Sequence, residues 1–248
     1  MISRTELQQY AKLTALNLGQ AELDYYQNII LFIISQEYSK ELVFKGGTAL
    51  KKCYGLDRFS EDLDFTCIKE IDTNKIFNAL KRFNIEFETE IKDYSQGIKI
   101  IIRIKGPLYS GIKNSMCKMI IDLSYRENVL LSPNITNLGR FLLEVPSFDV
   151  YVMNEQEILS EKIRAIMTRD KARDVYDLDF LLKKGITINK EFIAQKMSYY
   201  NEKFDKKLFI KRLKDKKSIW LSELSPLIKS VPKFVDTENL VLKVLKKI

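Results

Sequence analysis

Asp62 and Asp64 are separated by a single residue, and the pair Gly46-Gly47 ends fifteen residues before Asp62. On a strand, positions two apart project from the same face, with Leu63 and Phe65 directed into a core. Neighbouring carboxylates repel unless a cation lies between them. Oxygen-only ligands suit Mg²⁺ or Mn²⁺, which keep waters and take further oxygens from substrate phosphates. Adjacent glycines between a strand and a helix let backbone N–H groups come close to a phosphate, where the helix start adds partial positive charge. A third acid, Asp122, sits in the apolar stretch MIIDLS. Burying it is costly unless it is paired or metal-bound, which leaves two readings: metal ligand or proton acceptor, and structural ion pair. Three carboxylates beside a phosphate cradle would suit two-metal nucleotidyl transfer.

A second set lies downstream. Lys162, Arg169 and Arg173 recur at spacings of seven and four, close to one helical face were the helix to continue, and Asp174 and Asp177 lie three apart. Arg173 beside Asp174 would hold a phosphate or lock the acid. The alternative for this set is ordinary ion pairing on helix surfaces, which is worth little. Arg58 precedes the Asp62–Asp64 strand and fits two readings equally, phosphate contact and fixing of the loop.

Several chemistries are excluded. The 248 residues include no histidine, which removes Ser-His-Asp and Cys-His catalysis, imidazole bases and every His-containing zinc site. Cys53, Cys67 and Cys117 are widely spaced, with neither a disulfide framework nor a CxxC pattern. They are expected to be reduced thiols of a cytoplasmic protein. The polar opening MISRTELQQY gives no signal peptide, and the longest aliphatic and aromatic run, 29–34, is too short to span a membrane.

The elements that must position these residues follow from periodicity. Ser3 and Glu6 form a capping box for a helix to residue 18, stopped by Gly19, and an apolar helix covers 21–37. A strand at 42–45 leads through Gly46-Gly47 to a short helix at 48–54. Strands are expected at 62–67, 83–91, 97–105 and 116–124, with a helix at 72–82. Ile98, Ile100, Ile102 and Ile104 alternate with Lys99, Ile101, Arg103 and Lys105, so one face of that strand is largely basic. The stretch 144–152 is irregular or a short strand. Beyond it the pattern is helical: Asn154 caps a helix to residue 169, and others cover 172–184, 190–199, 203–215 and 237–248. The expectation is an α+β fold with two domains, a mixed-sheet core with N-terminal helices over 1–153 and a helical C-terminal domain over 154–248.

The segment KGGTALKKCYGLDRFSEDLDF resembles the first motif of the abortive-infection nucleotidyltransferase toxins, the AbiEii/AbiGii group that includes the MenT-type toxins, within the DNA polymerase β-like nucleotidyltransferase superfamily. LSEKIRAIMTRDKARDVYDLDFLL resembles the later pair of motifs of that group, so the likeness covers roughly residues 40–182. The resemblance implies roles. Gly46 and Gly47 would cradle the triphosphate of an NTP, with Thr48 and Ser60 beside it. Asp62 and Asp64 would hold Mg²⁺, and Asp122 would be the third acid on the sheet. Lys162 would bind nucleotide phosphates, Asp174 would be the later acid of the group, and Asp177 its neighbour. Glu161 and Arg164 read as structural.

Charge points to a partner. Residues 183–248 carry a net charge of +10 and residues 1–182 carry −2. The stretch 202–217, EKFDKKLFIKRLKDKK, has eight Lys and Arg around Phe204, Leu208, Phe209, Ile210 and Leu213, a basic amphipathic helix suited to polyphosphate contact. Tyr199 and Tyr200 would pack at the surface or stack on bases. The reading is a Mg²⁺-dependent toxin that transfers NMP from NTP to RNA, the tRNA 3′ end by the family resemblance, and is silenced by a cognate antitoxin. Two alternatives stay open: transfer to a small-molecule or protein hydroxyl, and a nucleotide-binding regulator without turnover.

Overall fold

In the computed structural model, which describes residues 2–139 and 145–246, the chain divides into two compact units. Met1–Ala49, Glu61–Val129 and Pro133–Val152 form the first; Leu50–Ser60, Leu130–Ser132 and Met153–Ile248 form the second.

The first unit opens with α1 (Arg4–Thr14) and α2 (Leu18–Glu37). The expected Ser3–Glu6 capping box is present. The expected stop at Gly19 is corrected: Ala15 takes the left-handed conformation, φ 55°, and ends α1. Asn17 and Gln20 then form a second capping box, so Gly19 lies inside the first turn of α2. Each such cap satisfies otherwise orphaned N–H groups and is worth about 1 kcal/mol.

Seven strands follow: β1 (Leu42–Lys45), β2 (Leu63–Cys67), β3 (Phe87–Tyr94), β4 (Gly97–Ile104), β5 (Cys117–Ser124), β6 (Asn134–Leu138) and β7 (Phe148–Val152). They form one mixed sheet in the order β3-β4-β5-β2-β1-β7-β6. The parallel pairs are β1 with β7 and β2 with β5; the other neighbours are antiparallel. Between strands lie α3 (Gly46–Tyr54) and α4 (Asn74–Arg82). The helix α2 buries Ile29, Ile30, Leu31, Ile33 and Ile34, each worth about 1.5–3 kcal/mol, and Phe32 meets Phe148 of β7 edge-on at 5.5 Å. Phe44 and Phe65 stack at 5.2 Å across β1 and β2. These core contacts fix which face of β2 is left for Asp64.

Several boundaries differ from the sequence reading. The strand expected from residue 83 begins at Phe87, because Phe83, Asn84 and Ile85 turn back onto the end of α4, with Asn84 at φ 53°. The helix expected from residue 72 starts at Asn74, because the Asp72 side chain accepts the Asn74 N–H at 3.0 Å and closes a turn there. The edge strand β6 was not expected at all. In the stretch 144–152 the strand begins at Phe148, and Glu144 lies outside the described residues.

The second unit is helical: α5 (Glu155–Thr168), α6 (Ala172–Lys183), α7 (Lys190–Ser198), α8 (Lys206–Asp215), α9 (Trp220–Leu224) and α10 (Phe234–Leu245). Asn154 caps α5 as expected, accepting the Gln156 N–H at 3.0 Å. The final helix starts three residues before its expected position, and Lys247 and Ile248 lie outside the described residues. Trp220 closes the core, its indole N–H donating to the Pro232 carbonyl at 2.8 Å and its ring meeting Phe234 edge-on at 5.3 Å.

The two short excursions of chain in this unit are tied by polar contacts. Phe59 N–H donates to the Leu227 carbonyl at 2.8 Å, and Tyr176 Oη donates to Asp57 Oδ1 at 2.6 Å. Glu157 receives the N–H groups of Leu130 and Leu131 at 3.0 and 3.2 Å and pairs with the buried Lys196 at 2.7 Å. The architecture is the α+β class expected, a mixed sheet with N-terminal helices and a helical C-terminal region. No helix among the described residues is long and apolar enough to cross a membrane.

Candidate active site

In the first unit the site is built on β2, β5 and the start of α3. Gly46 has φ 77°, a conformation L side chains resist. A Cβ placed there would overlap Asp64 Oδ2. The glycine is therefore required twice, for the turn from β1 into α3 and for the carboxylate that lies against it. Gly47 and Thr48 continue into the first turn of α3, where unpaired helix N–H groups favour an anion. Thr48 Oγ1 donates to the Asp62 carbonyl, and Gln27 Nε2 donates to the Glu61 carbonyl at 2.8 Å. The approach to β2 is thereby fixed from two helices. Asp62 stands just ahead of β2 rather than within it.

The register brings Asp64 and Asp122 side by side. They are partners across the parallel pair β2–β5, and on the same row Lys45 of β1 faces Asp64 while Lys99 of β4 faces Asp122. Cross-strand partners share a face, so Lys99, Asp122, Asp64 and Lys45 form a line of charge across the sheet. Lys99 Nζ lies 3.2 Å from Asp122 Oδ2, with about a third of its side chain exposed. Partial burial pulls the Lys99 ammonium down, and Asp122, with a contribution from Asp62, raises it overall. Lys45 Nζ lies 3.8 Å from the buried Glu127. Among the described residues, no three carboxylates or thiols are gathered closely enough to enclose a metal ion. The donor chemistry nonetheless fits Mg²⁺ or Mn²⁺, because the hard carboxylates of Asp64 and Asp122 stand side by side in register, with Asp64 against the bare Gly46.

In the second unit Lys162 Nζ reaches Asp174 Oδ1 at 3.0 Å and Asp177 Oδ2 at 2.7 Å. Arg58 holds Asp177 with two bonds, 2.6 and 2.7 Å, and gives a third to the Phe59 carbonyl at 2.9 Å. Of its two readings, the contacts fit the second: this guanidinium fixes the loop. Arg169 grips Asp174 through two bonds of 2.7 and 2.8 Å. Three bases and two acids thus form one chain with a single positive charge in excess, buried except for the half-exposed Arg169. Burial pushes the Asp174 carboxyl up, but Lys162 and Arg169 outweigh it and hold it well below the usual range. Burial pushes Asp177 up likewise, and Arg58 and Lys162 bring it below its ordinary value.

Arg169, not the expected Arg173, locks Asp174. The helix does not continue: α5 ends at Thr168 and Arg169 is an extended C-cap whose side chain turns back onto the acid. Ser60 is buried at the end of the Leu50–Ser60 excursion. Glu161 pairs with Lys196 at 3.0 Å, and the Arg164 guanidinium lies 3.7 Å from the Tyr200 ring centre, so both act structurally and Tyr200 is packed. The basic face expected on β4 is largely neutralised, with Arg103 at 3.6 Å from Glu90 and Lys105 at 3.0 Å from Glu86. The cysteines are free thiols; burial pushes those of Cys67 and Cys117 up to about 12.

Residues 29–238 match the family described as "Nucleotidyl transferase AbiEii toxin, Type IV TA system". No curated protein matches. Among solved structures, the fold is similar to JHP933 from Helicobacter pylori, at 22% identity and TM-score 0.62 with 92% of each chain covered. It is also similar to MenT4, a nucleotidyltransferase toxin from Mycobacterium tuberculosis, at 20% identity and TM-score 0.63, covering 98% of this chain and 88% of that one. With the paired motifs, the sheet that carries them and this match over most of its length, the chain belongs to the AbiEii family of nucleotidyltransferase toxins of type IV toxin–antitoxin systems.

Proposed function

We propose that this nucleotidyltransferase transfers a nucleoside monophosphate from an NTP to an RNA acceptor, the 3′ end of a tRNA, with Mg²⁺ or Mn²⁺ held by Asp62, Asp64 and Asp122, and that a cognate antitoxin silences it. The observation that carries the reading is the Asp64 carboxylate lying against bare Gly46 at the start of α3, with Asp122 beside it in register. When bound, the ion supplies charge neutralisation at the phosphates and a lowered pKa for the attacking hydroxyl.

The residues of the chain do the rest by positioning. Gly46, Gly47 and Thr48 present backbone N–H groups to the triphosphate. The family resemblance would give Lys162 a role in binding nucleotide phosphates; its buried ammonium pairs with Asp174 and Asp177. An acceptor hydroxyl attacks the α-phosphorus, the bond to the bridging oxygen breaks, and pyrophosphate leaves. Of the two acids considered for the hydroxyl proton, Asp122 is favoured. Asp174 is fully buried and spends both oxygens on Arg169 and Lys162, whereas Asp122 is 40% exposed and meets one ammonium.

RNA is favoured over a small-molecule or protein hydroxyl by five lysines. Lys203, Lys207, Lys211, Lys214 and Lys217 are exposed and carry no ion pair among the described residues. Three of them, Lys207, Lys211 and Lys214, make one stripe of α8 opposite the buried Phe209 and Leu213. The other bases of this stretch are engaged: Lys206 with the Leu245 carbonyl, and Arg212 and Lys216 with Asp170.

Incubation with α-labelled NTPs, Mg²⁺ and total RNA tests the proposal. Label is expected in tRNA, and Asp62→Ala or Asp64→Ala is expected to remove it while circular dichroism stays unchanged. Label confined to a protein or small molecule would overturn the RNA reading, and an active Asp64→Ala enzyme would overturn the site.

A further inference from the structure

The row of charge across the sheet contains a cation of its own. Asp64 and Asp122 are neighbours on adjacent strands, and the Lys99 ammonium lies 3.2 Å from Asp122 Oδ2. Lys99 belongs to β4, whose antiparallel register with β5 places the two residues opposite one another on the face that also carries Asp64. Its counterpart on the other side of Asp64, Lys45, is buried and lies by Glu127. Lys99 is instead a third exposed, at the end of a long flexible stem, so it can leave without opening a core.

We propose that Lys99 is a placeholder for the divalent ion: it neutralises Asp122 while the nucleotide is absent and yields that carboxylate only when an ion arrives with a triphosphate. The inference rests on the ion being held by Asp62, Asp64 and Asp122, and adds to it a positioning residue that sets the order of loading. The electrostatics run one way. A lone dication approaching Asp122 meets the attraction of the acids and the repulsion of Lys99 together. An ion carried on a triphosphate brings enough negative charge to draw the ammonium from the carboxylate to the phosphates, so the repulsion turns into a contact. Free ion therefore binds weakly, and the nucleotide-bound ion binds without that penalty.

Mn²⁺ binding to the full-length protein, followed by electron paramagnetic resonance without nucleotide, reads this directly and does not depend on turnover. Lys99→Met is expected to bind Mn²⁺ about tenfold more tightly than wild type, the size of effect expected when one like charge is removed beside a dication at a partly exposed site. Lys99→Arg keeps the charge and is expected to bind as wild type does. In an Asp122→Asn background, Lys99→Met is expected to tighten Mn²⁺ binding less than in wild type, because no carboxylate is released and only the repulsion is removed. If Lys99→Met binds within twofold of wild type while Asp64→Asn weakens binding, the placeholder is overturned and the metal site stands. If Asp64→Asn leaves Mn²⁺ binding unaltered, the ion is not held on this row, and both readings fall. Thermal melts of each variant identify any that do not fold, and Lys99→Arg then supplies the charge-retaining comparison.

Discussion

Replacing Gly46 by alanine separates the two demands placed on this position. The backbone demand is φ 77°, which costs a residue bearing Cβ about 1–2 kcal/mol. At about 2–4 °C per kcal/mol for a chain of this size, melting should fall by roughly 2–8 °C. The second demand comes from Asp64, whose Oδ2 occupies the place the new Cβ needs. One of them must move by about 1 Å, and a displacement of that size at a reacting centre costs about a hundredfold in rate. Gly46→Ala is therefore expected to remain folded and to lose about two orders of magnitude in NMP transfer. Urea unfolding of Gly46→Ala in wild-type and Asp64→Ala backgrounds isolates the overlap with the carboxylate, because the second background retains the backbone cost and the 3.1 Å contact with the residue-64 Cβ. A Gly46→Ala enzyme with wild-type transfer, or equal destabilisation in both backgrounds, would refute the reasoning.

Asp177→Asn leaves Arg58 and Lys162 buried with their shared acid neutralised, and should cost about 3–5 kcal/mol at pH 7 by urea unfolding. The native Asp177 carboxyl lies below its unfolded value, so its stabilisation is full above about 3.9 and is lost only as pH falls through the depressed native value. The gap between wild type and variant should thus be the same at pH 7 and pH 5; a gap that closes by pH 5 contradicts the assignment. Changing Lys203, Lys207, Lys211, Lys214 and Lys217 to glutamine should leave folding intact and flatten the dependence of log affinity for RNA on log salt by about 0.7–0.9 per lysine that meets a phosphate. An unaltered slope measured by fluorescence anisotropy would return that face to a purely solvating role.

What sequence reasoning reached, and what it did not, divides along physical lines. Local signals were sufficient for the Ser3–Glu6 cap, the strand-glycine-helix turn at Gly46 and the alternation around Asp64 and Asp122, because each depends on residues within a few positions. The strand β6, Asn134–Leu138, escaped because NITNL is a mostly exposed edge with little apolar alternation to reveal it. The start of β3 was misplaced because Asn84 can enter the left-handed region and turn the chain where its neighbours Phe83 and Ile85 look like strand. The bidentate Arg58–Asp177 pair joins residues 119 apart, and the Lys99–Asp122 pair depends on the β4–β5 register. Neither is encoded in spacing. Both acids were singled out by chemistry, but their partners could be identified only from the fold.

The 119-residue interval between Arg58 and Asp177 also has a consequence for how the chain is made. At about 5–20 residues per second, a ribosome adds Asp177 some ~6–24 s after Arg58. During that time the arginine has emerged without the carboxylate it will be buried against. The sheet, too, cannot seat β1 between β2 and β7 until residue 152 has been translated. Nascent fragments therefore lack both the finished sheet and the finished ion chain, so a cell that makes this toxin does not meet its activity before most of the polypeptide has been completed.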